Sequence, residues 1–209
     1  MSRLARIVVP GLPHHVTQRG NRRHQVFFET GDYELYRNLL ARYAQKHGVE
    51  VWAWCLMPNH VHLILVPSDS DGLALAVGGI HRRYTYHIHT RSGWVGHLFQ
   101  SRFASVVMDE RHLRRAIRYV SLNPVRARLV KRAEDWPWSS VQAHLAEKDD
   151  RVVKVLPVLQ RMPDFAQQIA CAAEDDERYD DFRRAECTGR PLGDRAFVNE
   201  VGRKIGRPL

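Results

Sequence analysis

The sequence predicts an α+β fold of the ferredoxin-like, or split βαβ, kind: an antiparallel sheet with helices on one face, followed by a C-terminal helical extension. Two observations carry this prediction. The runs VEVWAWCLM (49–57) and HVHLILV (60–66) are rich in strand-forming residues and are separated only by Pro-Asn, which indicates a β-hairpin. Residues 30–48 and the stretch from 72 to about 90 have apolar residues at helical spacing on either side of that hairpin. The other face of the sheet is left open for a ligand or a further helix.

The remaining elements complete the order β-α-β-β-α-β followed by a helix. The segments HHVTQRG (14–20) and FASVVMD (103–109) are predicted as the first and last strands. Asp109 is a candidate N-cap for a helix that begins at Glu110, whose carboxylate suits a first turn. Pro124 is expected to close that helix.

The formal net charge of +9 is distributed unevenly along the 209 residues. Residues 1–146 carry an excess of ten positive charges, residues 147–187 an excess of four negative charges, and residues 188–209 an excess of three positive charges. We therefore divide the chain into a domain over 1–146, an acidic helical appendage over 147–187, and a basic C-terminal tail over 188–209. Arginine outnumbers lysine 27 to 5, which favours a nucleic-acid partner, although a GC-rich genome would enrich arginine as well.

Composition disfavours several other classes of protein. No apolar run approaches the roughly 20 residues that span a bilayer, and the N-terminus is too polar for a signal peptide. The three cysteines are far apart and lack CxxC spacing, which argues against a disulfide framework and against a zinc knuckle. We expect a cytoplasmic protein, associated with the nucleoid and without a membrane partner.

Two histidines lie one residue apart in the apolar run CLMPNHVHLIL (55–65). Because side chains alternate along a strand, His60 and His62 project from one face, with Val61 and Leu63 on the other. Two imidazoles on one face are half of a metal site. They are equally consistent with a hydrogen-bonded pair in the core.

The helix after Asp109 offers partners for these histidines. Its one tyrosine is Tyr119, Asn123 follows one turn later on the same face, and Arg115 precedes it by one turn. Two imidazoles and an amide oxygen could hold a divalent cation, Tyr119 could attack a bound phosphodiester, and Arg115 could lower the cost of the phenolate. Each residue also has an ordinary interpretation, as a core tyrosine or as a helix terminator.

Several segments in a fixed order carry a resemblance to a known family. These are MPNHVHLIL, GHLFQSRFASVVMD and LRRAIRYVSLNPVRARLV, with VPGLPHHVTQRGNRRHQVFF before them and DWPWSSVQAHL after them. Together they resemble the REP-associated tyrosine transposases, relatives of the single-strand insertion-sequence transposases within the HUH endonuclease superfamily. The resemblance covers about residues 3–146.

The resemblance implies roles for particular residues. His60 and His62 match the HUH metal ligands, Tyr119 matches the nucleophile, and Asn123 matches the third ligand, for which relatives outside this branch often have glutamine. The implied cofactor is Mg²⁺ or Mn²⁺. The implied reaction is cleavage of single-stranded DNA beside a folded hairpin, which leaves a 5′-phosphotyrosine bond and a free 3′-hydroxyl. Insertion-sequence relatives are dimers and REP-associated members resemble monomers, so we expect a monomer or a homodimer.

Basic segments are the candidate DNA contacts. Arginines that interleave with Tyr84 and Tyr86 suit both phosphate contact and base stacking, although at least one of these tyrosines is expected in the core. The other candidates lie on the loop after the first strand and just past the catalytic helix. The DNA-binding candidates are Arg19, Asn21, Arg22, Arg23, Arg82, Arg83, Arg126 and Arg128.

Three other functions compete with a tyrosine nuclease. A domesticated hairpin-binding protein without cleavage activity is disfavoured because both histidines, the tyrosine and a third ligand are present. An RNA-binding module of the same topology would stack bases on strand aromatics, which HVHLILV lacks. A metallohydrolase that activates water would form no covalent intermediate.

Overall fold

The computed structural model describes residues 6–170 and 180–209. It confirms the predicted α+β architecture, with one four-stranded antiparallel sheet in the order β2-β3-β1-β4. The strands are β1 (His14–Arg19), β2 (Val49–Met57), β3 (His60–Pro67) and β4 (Ala104–Val107). Strand β4 is shorter than the predicted 103–109, and β2 has the predicted bounds.

The β2–β3 hairpin turns at Pro58 and Asn59, so that Met57 pairs with His60 and Cys55 with His62. Its register shifts at a bulge between Val51 and Ala53. On its other side β3 pairs with β1, and β3 is therefore an internal strand. An internal strand has both backbone edges hydrogen-bonded, which holds its side chains in fixed positions.

Two helices cover one face of the sheet. They are α1 (Thr30–Lys46) and α2 (Gly72–Ser92), which pack against each other and against Val61, Leu63 and Leu65 of β3. Tyr84 of α2 is fully buried in this core, whereas Tyr86 is exposed. This confirms that one of the two tyrosines next to the α2 arginines is a core residue.

Helix α3 (Glu110–Arg126) covers the opposite face and packs on Ile64 and Val66. Asp109 caps it as predicted, since its carboxylate accepts a hydrogen bond of 2.8 Å from the backbone N–H of His112. The prediction that Pro124 closes this helix is wrong. The helix continues past Pro124 to Arg126, and the Ala127 N–H donates to the Asn123 carbonyl at 2.9 Å.

The chain beyond residue 132 adds short helices to the α3 side. These are α4 (Val141–Leu145), α5 (Leu156–Leu159), α6 (Phe165–Ala170), α7 (Asp180–Thr188) and α8 (Arg195–Lys204). Helices α4 to α7 contribute buried residues to the core under α3, among them Phe165 and Phe182. Helix α8 buries Val201 against Ile7, Val9 and Val107. The acidic segment 147–187 thus contributes core residues, among them Val153, Val158 and Phe182, while residues 147–151 are exposed.

Among the described helices, none combines the length and the apolar character that crossing a bilayer requires.

Candidate active site

The site is built on the α3 face of the sheet, at the end of β3 nearest the hairpin turn. His60 and His62 both project toward α3, as the alternation of β3 predicts, because Val61 and Leu63 lie in the opposite core. Their ring centroids are 4.8 Å apart and the rings are nearly perpendicular. His62 is 2% exposed, and His60 is partly exposed at the start of the strand.

Tyr119 of α3 packs directly on His62. Its ring meets that of His62 edge to face, with centroids 5.2 Å apart. Asn123 lies one turn further along α3 and is also buried. The structure therefore brings together the tyrosine and the histidine that the sequence placed on separate elements.

Both histidines are neutral because the protein lowers their affinity for protons. Burial and the positive charge of Arg19 lower the pKa of His60 to about 3. Burial, followed by the neighbouring His60 and His15, holds the pKa of His62 well below its usual range. Neutral imidazole is the form that binds a metal ion.

Each histidine of the pair is held through its Nδ1 atom. The side-chain amide of Asn59 donates to the carbonyl of Arg23 at 3.0 Å, which turns its oxygen toward His60. His60 Nδ1–H donates to that oxygen at 2.6 Å. His62 Nδ1 shares a hydrogen bond of 3.1 Å with Nε2 of His15 on β1. The Nε2 atom of His62 is buried and has no hydrogen-bond partner in the described part of the chain.

This donor set fits the divalent metal that the resemblance implies. Two neutral imidazoles on one rigid strand have their Nδ1 atoms engaged by the protein, which leaves their Nε2 atoms to face a ligand. A buried polar atom without a partner is costly unless something binds it. A second set of residues with metal-ligand chemistry also includes His62. It consists of His15, His62 and Glu186, whose ligand atoms lie within 4.8 Å of one another.

Helix α7 closes the site from outside. Phe182 stacks parallel to the Tyr119 ring with centroids 6.0 Å apart, and Glu186 lies 3.7 Å from His15 Nδ1. Tyr119 is consequently only 8% exposed. Sequence reasoning did not identify Phe182, Glu186, His15 or Asn59 as site residues.

Two arginines of α3, one on either side of Tyr119 in sequence, lie in different surroundings. Arg115 forms an ion pair of 2.7 Å with Asp181 of α7, and its guanidinium lies 5.3 Å from the Phe182 ring. The guanidinium of Arg126 lies 5.0 Å from the centre of the Tyr119 ring. Arg126 was expected to contact DNA, yet the structure places its charge against the candidate nucleophile.

The other predicted DNA contacts lie on different elements of the fold. Asn21, Arg22 and Arg23 are exposed on a short 3₁₀ turn that Asn59 links to His60. Arg82 and Arg83 are exposed on α2, which packs on the far face of the sheet. Arg19 pairs across β1–β3 with His60, and Arg128 is exposed just after α3.

A ferredoxin-like sheet with two histidines on an internal strand, facing a tyrosine on a helix, defines the site of a tyrosine transposase of the HUH type. The family model described as "Transposase IS200 like" matches residues 8–123, which is more than half of the chain. The chain belongs to this family, and it is a tyrosine transposase.

Two comparisons are consistent with this assignment. The chain is similar to a REP-associated tyrosine transposase of Escherichia coli (strain K12), with 27% identity over 128 residues, 60% of this chain and 73% of the relative. Its fold is similar to that of a REP-associated tyrosine transposase solved with a REP hairpin, with a TM-score of 0.60 and 24% identity over 74% of this chain and 92% of that one.

Proposed function

We propose that this chain is a metal-dependent single-stranded DNA endonuclease that cleaves and rejoins DNA next to hairpins of the REP type, through a 5′-phosphotyrosine intermediate. The observation that carries the proposal is the contact of Tyr119 with His62. With 5.2 Å between their ring centroids, the nucleophile would lie beside an imidazole whose Nε2 is buried and has no hydrogen-bond partner among the described residues. No other described tyrosine lies against the metal pair in this way.

His60 and His62 would hold the metal through their Nε2 atoms, with the amide oxygen of Asn123 as the third ligand. Mg²⁺ or Mn²⁺ is the cation we propose, since oxygen atoms of the substrate complete the coordination. When bound, it polarises the scissile phosphate. Asn59 and His15 keep the two rings oriented toward it.

Tyr119 would supply the nucleophile. Its oxygen attacks the phosphorus, the bond to the 3′-oxygen breaks, and the products are a 5′-phosphotyrosine and a free 3′-hydroxyl. The phenol loses its proton in this step, and the departing 3′-oxygen gains one. The charge of Arg126 against the Tyr119 ring favours the phenolate. Arg115 can stabilise the phosphate only after it exchanges Asp181 for a phosphate oxygen.

DNA would reach the site along the exposed turn that carries Asn21, Arg22 and Arg23, because Asn59 links this turn to His60. Phe182 must move aside, since it covers the Tyr119 ring. His60, His62 and Tyr119 all come from one chain, which favours action as a monomer over a homodimer. We place this activity at the nucleoid in the cytoplasm, where REP-type hairpins would be found.

The test is a single-turnover reaction with a labelled single-stranded hairpin drawn from repeats near the gene. With Mn²⁺ we expect a covalent protein–DNA band that survives denaturation, and with a chelator we expect none. Tyr119→Phe should abolish the band and reduce cleavage by at least about 10³-fold, because the nucleophile is missing. Tyr43→Phe, on α1, is the control and should cleave normally.

Two outcomes would contradict the proposal. Cleavage that survives Tyr119→Phe would mean that the site activates water. Tight hairpin binding without any cleavage would identify a DNA-binding protein that has lost its activity.

A further inference from the structure

His15 is a buried imidazole to which sequence reasoning assigned no role. It lies on β1, 1% exposed, and its ring stacks on that of His62 with centroids 5.2 Å apart and an angle of 13°. Its Nε2 shares the 3.1 Å hydrogen bond with His62 Nδ1, and its Nδ1 faces the Glu186 carboxylate at 3.7 Å. Glu186, His15 and His62 thus form a chain that leads from α7 to the metal pair.

The proton in the central hydrogen bond can come from either ring, because each imidazole nitrogen donates or accepts according to the tautomer. If His15 donates through Nε2–H, its Nδ1 is a lone pair that faces a carboxylate. In that case His62 also carries a proton on Nε2, which is buried without a partner. Both consequences are unfavourable.

The opposite direction is more favourable at both atoms. If His62 donates through Nδ1–H, His15 carries its own proton on Nδ1, and an N–H then points toward the negative charge of Glu186. His62 Nε2 is then an unprotonated lone pair, which is the form that a metal ligand requires. The Glu186 carboxylate therefore selects the tautomer of a ring that it does not touch.

We propose that His15, backed by Glu186, is a positioning residue that holds His62 in the tautomer whose Nε2 binds the metal. Asn59 does the same for His60 with an amide oxygen in place of an imidazole. The assignment rests on the proposed function only in naming the metal, because the tautomer of His62 can be measured without metal or DNA.

The direct test is a long-range ¹⁵N–¹H NMR spectrum of the metal-free full-length protein, with the His62 signals assigned from a His62→Gln variant. We expect His62 to carry its proton on Nδ1. His15→Leu removes the acceptor, and we expect His62 to lose this single tautomer. His15→Gln keeps an acceptor oxygen at a similar reach and should restore it.

Mn²⁺ affinity, followed by electron paramagnetic resonance, gives a second measurement. His15→Leu should weaken Mn²⁺ binding by about 10- to 100-fold, which is the usual cost of losing a partner of a metal-ligating histidine. His15→Gln should recover most of this loss, and Glu186→Ala should cause a smaller one. His112→Gln, between α3 and α7, is the matched control and should bind Mn²⁺ as the wild type does. If His15→Leu does not fold, the glutamine and Glu186→Ala variants carry the test.

A protonated Nε2 on His62 in the wild-type protein would overturn the proposal. Equal Mn²⁺ affinity in wild-type protein and His15→Leu would overturn it as well. Failure of the proposed function looks different: no covalent DNA adduct would form with the wild-type protein, while the tautomer and Mn²⁺ affinity would still respond to His15.

Discussion

Two adjacent histidines on β1, His14 and His15, show how differently the two faces of one sheet use the same side chain. Both ring nitrogens of His14 are hydrogen-bonded to the backbone: its Nδ1–H donates to the Leu12 carbonyl at 2.8 Å, and its Nε2 accepts from the Val9 N–H at 3.2 Å. The partner of His15 at hydrogen-bond distance is the imidazole of His62, and the outer nitrogen of that ring has no partner in the described chain. Both ring nitrogens of the structural histidine His14 are hydrogen-bonded within the fold, whereas His62 at the candidate site keeps one ring nitrogen for a ligand.

The tyrosines of the two faces differ in the same way. Tyr84 on the α2 side is fully buried, its hydroxyl donates to the Val26 carbonyl at 2.7 Å, and burial raises its pKa. Tyr36 on α1 is likewise buried, its hydroxyl shares a hydrogen bond with His81 Nε2, and burial raises its pKa. Neither can ionise readily. Tyr119 is 8% exposed, and the guanidinium of Arg126 lies 5.0 Å from the centre of its ring.

The largest contrast is expected between His62→Ala and His14→Ala. Loss of His62 removes a proposed metal ligand and should weaken Mn²⁺ binding by at least about 100-fold. Loss of His14 leaves the Val9 N–H and the Leu12 carbonyl without their partner, and should lower the free energy of unfolding by about 2–4 kcal/mol. Urea unfolding and Mn²⁺ titration measure the two effects.

A folded His14→Ala variant whose Mn²⁺ affinity falls as far as that of His62→Ala would contradict this expectation. The two faces would then not act separately.

A second contrast compares the two groups of arginines. Arg22→Ala/Arg23→Ala should weaken hairpin binding and reduce the slope of log K against log salt by about 1–2, because two phosphate contacts near the site are lost. Arg82 and Arg83 lie on α2, on the opposite side of the sheet from Tyr119. The Arg82→Ala/Arg83→Ala variant should therefore leave the slope nearly unchanged. Binding is measured in chelator over a range of salt concentrations. A larger effect from the α2 pair would place the DNA on the face opposite Tyr119.

The smallest effect is a dependence of stability on pH that comes from structural histidines. Burial lowers the pKa of His14 to about 4 and that of His81 to about 3. Unfolded histidine titrates near 6.5, so below pH 6.5 the unfolded chain takes up protons that the folded protein refuses. The free energy of unfolding should therefore fall as pH falls from 6.5 to about 4, by about 1.4 kcal/mol per pH unit for each such residue.

Urea unfolding at pH 7.5 and pH 5.5 checks this dependence. His14→Gln should flatten the loss by about 1.4 kcal/mol per pH unit between pH 6 and pH 5. An unchanged slope in this variant would show that His14 is protonated in the folded protein.

The sheet and the shared face of His60 and His62 were predictable because they depend on local patterns. A period of two put His60 and His62 on one face, and a helix starting at Glu110 put Tyr119 and Asn123 on one stripe. Pro124 was misjudged because proline disfavours a helix at the preceding residue without forbidding it, and packing on the sheet outweighs that preference.

The supporting residues were not predictable in the same way. The two histidines at 14–15 give no sequence signal that separates them from other strand residues. Only the register that pairs His15 with Ile64, and Thr17 with His62, brings His15 next to His62. Glu186 and Phe182 lie on a helix whose contact with the site depends on the path of the whole C-terminal segment. For Arg115 the spacing along α3 was correct, but its partner Asp181 comes from α7.

The measurement that tests the central claim most directly is the identification of the residue that carries DNA after a trapped reaction. The wild-type protein is incubated with hairpin DNA and Mn²⁺, denatured, and digested with nuclease and protease before mass spectrometry. The account predicts one modified peptide, in which Tyr119 bears a nucleotide through a 5′-phosphate. A nucleotide on another residue, or cleaved DNA without any modified peptide, would contradict it.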